Sequence, residues 1–164
     1  MTHDRLTLGN ELKLFESFAK NRNMYYYVTG SMALQILGAL PVDYDIHDLD
    51  FIVIANCKED FVNYQNYFAE LSHFCGNKAA DYPDAPFVFK IGKNNTLVNV
   101  WVKMYCEETK DVITVNIEGN CYNVMRFGTC LYRKMKLQRV KDFHYQGSLI
   151  SLIANAHKGV AVLA

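Results

Sequence analysis

Apolar residues fall at Leu8, Leu12, Phe15, Phe18 and Ala19, the spacing of one helix face, within Leu6–Lys20. Asn21-Arg22-Asn23 breaks that pattern. Three tyrosines and a valine fill Met24–Thr29, which reads as a strand. Gly30-Ser31 is a tight turn, and Met32–Leu40 reads as a short, mostly buried helix ended by Pro41. A polar loop, Val42–His47, leads into Leu49–Ile54, a strong strand. Lys58–Phe74 carries Phe61, Tyr64, Phe68 and Leu71 at helical spacing. Beyond Gly76 and a loop holding Pro83 and Pro86, Phe87–Ile91 and Thr96–Val102 flank Gly-Lys-Asn-Asn as a hairpin. Val112–Ile117 and Cys121–Val124 flank Glu-Gly-Asn as a second. Thr129–Gln138 and Lys141–His157 close the chain as helices, with Gly147 a weak point in the last.

A helix between the first two strands and hairpins later on predict an α/β (α+β) fold. It would be a mixed sheet of about five strands with helices packed on it, not a doubly wound parallel fold. No repeat or linker divides the chain. Residues 1–164 are read as one domain, with a core over about 24–125 and a C-terminal helical segment over about 128–158.

Composition narrows the class. The 164 residues are 51% hydrophobic and 21% charged, which excludes a disordered or low-complexity chain. Seventeen bases balance seventeen acids, so bulk charge gives no support for binding duplex nucleic acid. Five cysteines without a Cys-x-x-Cys pair suggest free buried thiols rather than a disulfide or zinc framework. The polar N-terminus reads as no signal peptide, and no apolar run reaches the roughly 18 residues of a membrane span. A cytoplasmic protein is expected.

Zero net charge conceals an asymmetry. Between Pro41 and Asp84 nine acids face only Lys58 and Lys78, whereas Arg126–Lys141 holds six bases and no acid. Two solvated surfaces of opposite sign explain this. So does an acidic metal site facing a basic phosphate clamp. The segment that separates the two is Val28-Thr29-Gly30-Ser31 followed, after a helix and loop, by His47-Asp48-Leu49-Asp50-Phe51-Ile52-Val53. Strand side chains alternate, so Asp48 and Asp50 share a face about 6.6 Å apart along the strand. Two carboxylates ~4 Å apart at an effective dielectric of ~20 repel by about 4 kcal/mol. A divalent cation bound by oxygen ligands removes that repulsion, and Asp oxygens suit Mg²⁺. Gly30-Ser31 opens a helix directly after a strand, an arrangement of amides and hydroxyl that holds phosphate. Simpler readings remain beside these: an Asp pair in solvent at a strand start, and an ordinary helix N-cap.

This layout resembles the nucleotidyltransferase superfamily that includes DNA polymerase beta and the minimal and lincosamide-type transferases. Its signature is Gly-Ser or Gly-Gly, a short helix, then Asp-x-Asp on a hydrophobic strand. Here that is Gly30-Ser31 and Asp48-Leu49-Asp50, and the resemblance covers roughly residues 24 to 102. It implies transfer of a nucleoside monophosphate from a nucleoside triphosphate to a hydroxyl of a small-molecule or protein acceptor. Two Mg²⁺ ions, or Mn²⁺, would be held by Asp48 and Asp50 as catalytic and metal residues. Gly30 and Ser31 would contact the terminal phosphates. The family also implies a third carboxylate on a later strand. The matching position is Asn99, an amide, with Asp81, Asp84, Glu107 or Glu108 as possible substitutes. Lys134 and Lys136, from the basic stretch, are candidate triphosphate contacts, and surface charges otherwise. At this length a homodimer or partner chain would complete the cleft. The departure at Asn99 keeps an alternative open: a catalytically degenerate member that binds nucleotide or protein.

Overall fold

The computed structural model describes residues 6–42, 44–72, 86–106 and 111–130. Helix α1 (Gly9–Asn21) precedes strand β1 (Tyr25–Thr29), helix α2 (Gly30–Ile36) and strand β2 (Asp48–Ala55). Helix α3 (Lys58–Ser72), the hairpin β3 (Phe87–Ile91) and β4 (Thr96–Met104), and the hairpin β5 (Val112–Ile117) and β6 (Asn120–Met125) follow. All the strands lie in one six-stranded mixed sheet of order β3-β4-β2-β1-β6-β5. The sheet is thus one strand wider than expected. The sixth joins through a parallel β1–β6 pairing at Val28↔Val124, a long-range contact that no local pattern encodes.

Alternation divides the sheet into two unlike faces. Tyr26, Val28, Leu49, Phe51, Val53, Val98, Val100, Phe87 and Phe89 share one face, by strand alternation and cross-strand register. Helices α1 and α3 pack there. Phe15 of α1 stacks on Phe51 at 3.8 Å between ring centres, with Tyr26 edge-on to both. Phe68 of α3 stacks on Phe87 and Phe89. Each such aromatic pair adds about 0.5–1.5 kcal/mol to the burial itself. The other face carries Asp48, Asp50 and Asn99.

Helix α2 ends at Ile36, before the Leu40 expected from the sequence. Gly38 takes a left-handed φ of +81°, and the amides of Gly38 and Ala39 close back onto Gln35 and Leu34. That is a glycine C-terminal stop acting ahead of Pro41. Buried Gln35 then ties the following loop down, donating to Thr7 Oγ1 at 2.8 Å and to the Pro41 carbonyl at 3.1 Å. This anchors the chain that leads into β2. The cysteines also depart from expectation: of those described, Cys130 is buried but Cys57, Cys106 and Cys121 are exposed. They sit in a turn, a strand exit and the exposed side of β6, positions the apolar core does not reach. The closing helices are described only through a helical start at residues 127–130.

Candidate functional site

β1 and β2 run antiparallel with Thr29 opposite Asp50, so the end of β1 delivers Gly30 directly against that carboxylate. Gly30 has φ +69°. A Cβ placed on it would overlap Asp50 Oδ2 and stand 3.1 Å from Asp50 Cγ. Only glycine meets both demands, a left-handed backbone and a carboxylate pressed against it. Thr29 holds the N-cap position of α2 but makes no side-chain capping bond; its hydroxyl donates instead to Met125 Sδ at 3.3 Å. Ser31 follows as a half-buried residue of the first turn.

β2 and β4 run parallel with Asp48 opposite Leu97 and Asp50 opposite Asn99. Leu49 and Phe51 are fully buried beneath, so Asp48 and Asp50 both face the other way, each half-buried. Asn99 closes the group. Its amide nitrogen donates to Asp48 Oδ2 at 2.9 Å and to Asp50 Oδ1 at 2.8 Å. The two N–H bonds of a planar amide diverge by about 120°, which sets those oxygens roughly 5 Å apart. At an effective dielectric of ~20 their repulsion is about 3 kcal/mol. Two hydrogen bonds to charged acceptors contribute about 1.5–3 kcal/mol each, less where water competes. The amide therefore offsets most or all of the cost of holding the carboxylates together.

The donor set fits a hard divalent cation. Two carboxylate oxygens face one point, filled by the Asn99 nitrogen; roughly 5 Å apart, they must close to about 4.2 Å or less to share one Mg²⁺ at its ~2.1 Å bond length. The set is also lean: among the described residues no group of three or more His, Cys, Asp or Glu side chains assembles. His47, beside Asp48, turns outward and pairs with Asp45 at 2.9 Å, both strongly exposed. The structure thus brings Gly30, Asp48, Asp50 and Asn99 together at the ends of three adjacent strands, with Ser31 next in chain. Lys134 and Lys136 lie outside the described residues, as do Asp81, Asp84, Glu107 and Glu108.

One neighbour was not anticipated. The hairpin turn over 92–95 fixes Lys90 opposite Leu97, which is itself opposite Asp48. Exposed Lys90 therefore stands in the same row as Asp48 on the acid face, one strand beyond Leu97. Counting back from the hairpin gives that register, provided the turn is placed first.

No protein-family model matches the chain, and neither does any curated protein sequence. Solved structures do match. ANT(2")-Ia, in complex with adenylyl-2"-tobramycin, superposes with a TM-score of 0.59 at 14% identity, over 92% of this chain and 90% of that one. An antigenic nucleotidyltransferase-like protein from Paracoccidioides brasiliensis gives 0.51 at 14% identity, over 92% and 84% of the respective chains. A Thermotoga maritima protein provisionally assigned as a nucleotidyltransferase gives 0.50 at 15% identity, over 87% and 93%. The chain has the nucleotidyltransferase fold.

Proposed function

On that fold, we propose that the chain is a metal-dependent nucleotidyltransferase that moves a nucleoside monophosphate from a nucleoside triphosphate to a hydroxyl of a small-molecule or protein acceptor. The observation that carries this reading is the convergence of Asp48 and Asp50 beside Gly30, on the face opposite the aromatic core. The ANT(2")-Ia neighbour, solved with an adenylylated tobramycin, supports an acceptor of small-molecule size.

In this reading Asp48 and Asp50 hold divalent metal, Mg²⁺ or Mn²⁺. Bound there, the metal would neutralise the triphosphate and stabilise the departing pyrophosphate. The chain supplies the rest. Gly30 lets the backbone come close to the β- and γ-phosphates, and the Ser31 hydroxyl donates to them. Lys134 and Lys136 add counter-charge. The acceptor oxygen forms a bond to the α-phosphorus and releases its proton to water, the bond from that phosphorus to the bridging oxygen breaks, and the electron pair leaves with pyrophosphate. Asn99 takes no proton in this step, because an amide is not a base at neutral pH. A homodimer or a partner chain completes the acceptor side.

Asn99 favours a second reading, a nucleotide-binding or protein-interaction module without transfer activity. Calorimetry with a non-hydrolysable triphosphate analogue, in Mg²⁺ and again in EDTA, tests what both nucleotide readings share. Binding should require the metal and should be lost in Asp50→Ala; unchanged affinity in that variant would sink the metal assignment. Release of pyrophosphate across an acceptor panel then separates enzyme from module.

A further inference from the structure

The position at which the family resemblance implies a third acid holds a donor instead. Both N–H groups of Asn99 point at carboxylates, so its nitrogen stands where Asp48 and Asp50 converge. We propose that Asn99 is a positioning residue that takes the cation's place in the ion-free protein, and that the pair accordingly admits one divalent cation, arriving with the triphosphate, rather than two. This rests on the reading of the site as a triphosphate site.

Three features support it. Asn99 is fixed by strand register opposite Asp50, not carried on a loop. Asp50 has no room to withdraw toward Gly30, where even a Cβ would collide with it. An amide that donates through nitrogen directs its oxygen away from the same point, so Asn99 cannot hold the carboxylates and ligate an ion together. An ion arriving alone must displace two charge-assisted hydrogen bonds. A triphosphate brings oxygen ligands of its own and compensates that loss. Ion and nucleotide should therefore each tighten the binding of the other by the same factor. A third carboxylate would behave differently, because three convergent charges need a cation even without nucleotide.

Thermal unfolding of wild type and Asn99→Asp, in EDTA and in Mg²⁺ without nucleotide, tests the proposal. Wild type should unfold within about 1 °C of the same temperature in both, whereas Asn99→Asp should fall by about 4 °C or more in EDTA and recover in Mg²⁺. Calorimetric titration with Mn²⁺ in the presence of the analogue should count one ion per wild-type chain and two per Asn99→Asp chain. Magnesium alone stabilising wild type as much as the variant would overturn the proposal, and so would two ions per wild-type chain. Should Asn99→Asp fail to fold in any buffer, the wild-type ion count decides. Magnesium-dependent stability in the variant, with no analogue binding by wild type, leaves the positioning role standing and removes the triphosphate reading.

Discussion

Gly30→Ala puts the geometry of the site to its most direct test. The backbone there has φ +69°, where an alanine costs about 1–2 kcal/mol relative to glycine. The new Cβ would also overlap Asp50 Oδ2 and crowd Asp50 Cγ at 3.1 Å and Cβ at 3.3 Å. Forcing a methyl group into a packed position costs typically about 1–3 kcal/mol. The expected loss is therefore about 2–5 kcal/mol, or roughly 5–15 °C in Tm for a chain of this size. Gly38→Ala is the matched control. Its φ is +81°, but nothing lies within 4 Å of the added Cβ, so it pays for backbone strain alone. Urea unfolding of the two variants isolates the Asp50 contact as their difference. Calorimetry then asks whether the displaced carboxylate matters. Gly30→Ala should lose metal-dependent analogue binding, and Gly38→Ala should keep it. A Gly30→Ala protein as stable as Gly38→Ala, with wild-type affinity, would refute the close approach of Asp50 to Gly30.

The opposite face of the sheet gives two further expectations. Phe15→Ala removes a ring stacked on Phe51 and edge-on to Tyr26, and should cost about 3–5 kcal/mol by urea unfolding; a loss below about 1.5 kcal/mol would contradict that packing. Burial, with the charge of Glu16 behind it, raises the pKa of both Tyr26 and Tyr122. A raised acid pKa means that the folded chain keeps the proton while the unfolded chain releases it. Their contribution is thus intact below about pH 10 and lost above it, at up to about 1.4 kcal/mol per pH unit for each tyrosine. Stability measured from pH 9 to 11 should fall less steeply in Tyr26→Phe than in wild type, and equal slopes would contradict the burial of that hydroxyl.

How much of this could be read in advance varies with the range of the interaction. The alternation Asp48-Leu49-Asp50-Phe51 is local, and it places both acids on one face and both apolar residues beneath. The hairpins are local as well, and both stand where turn residues put them. The parallel β1–β6 pairing is not local. It joins Val28 to Val124, and without it the β5–β6 hairpin has no fixed place in the sheet. Helix α2 stops short of the expected Leu40 because Gly38 and Pro41 both stop helices, and the glycine comes first. Asn99 was legible as the residue opposite the acids. Its role as a donor to both of them was not, since that depends on side-chain geometry across two strands. Lys90 required a register counted from the turn at 92–95, after which its row with Asp48 follows.

The two faces of β2 are coupled by that same alternation, and the coupling bears on function. Phe51 stacks on Phe15 on one side of the strand, and Asp50, its chain neighbour, meets Gly30 and Asn99 on the other. A slip of one residue in β2 would bury the acids and expose Leu49 and Phe51. The aromatic layer thus fixes which residues can present oxygen to a ligand, although it touches none. Asn99 adds a second restraint from the neighbouring strand. With both in place, the carboxylates are ordered in the ion-free chain, and anything that enters between them has two Asn99 hydrogen bonds to displace rather than two free side chains to order. The acid pair is thus held in place by the chain itself. The fold is shared with the nucleotidyltransferase structures it superposes on, and within it Asn99 places a neutral amide, not a third charge, between Asp48 and Asp50.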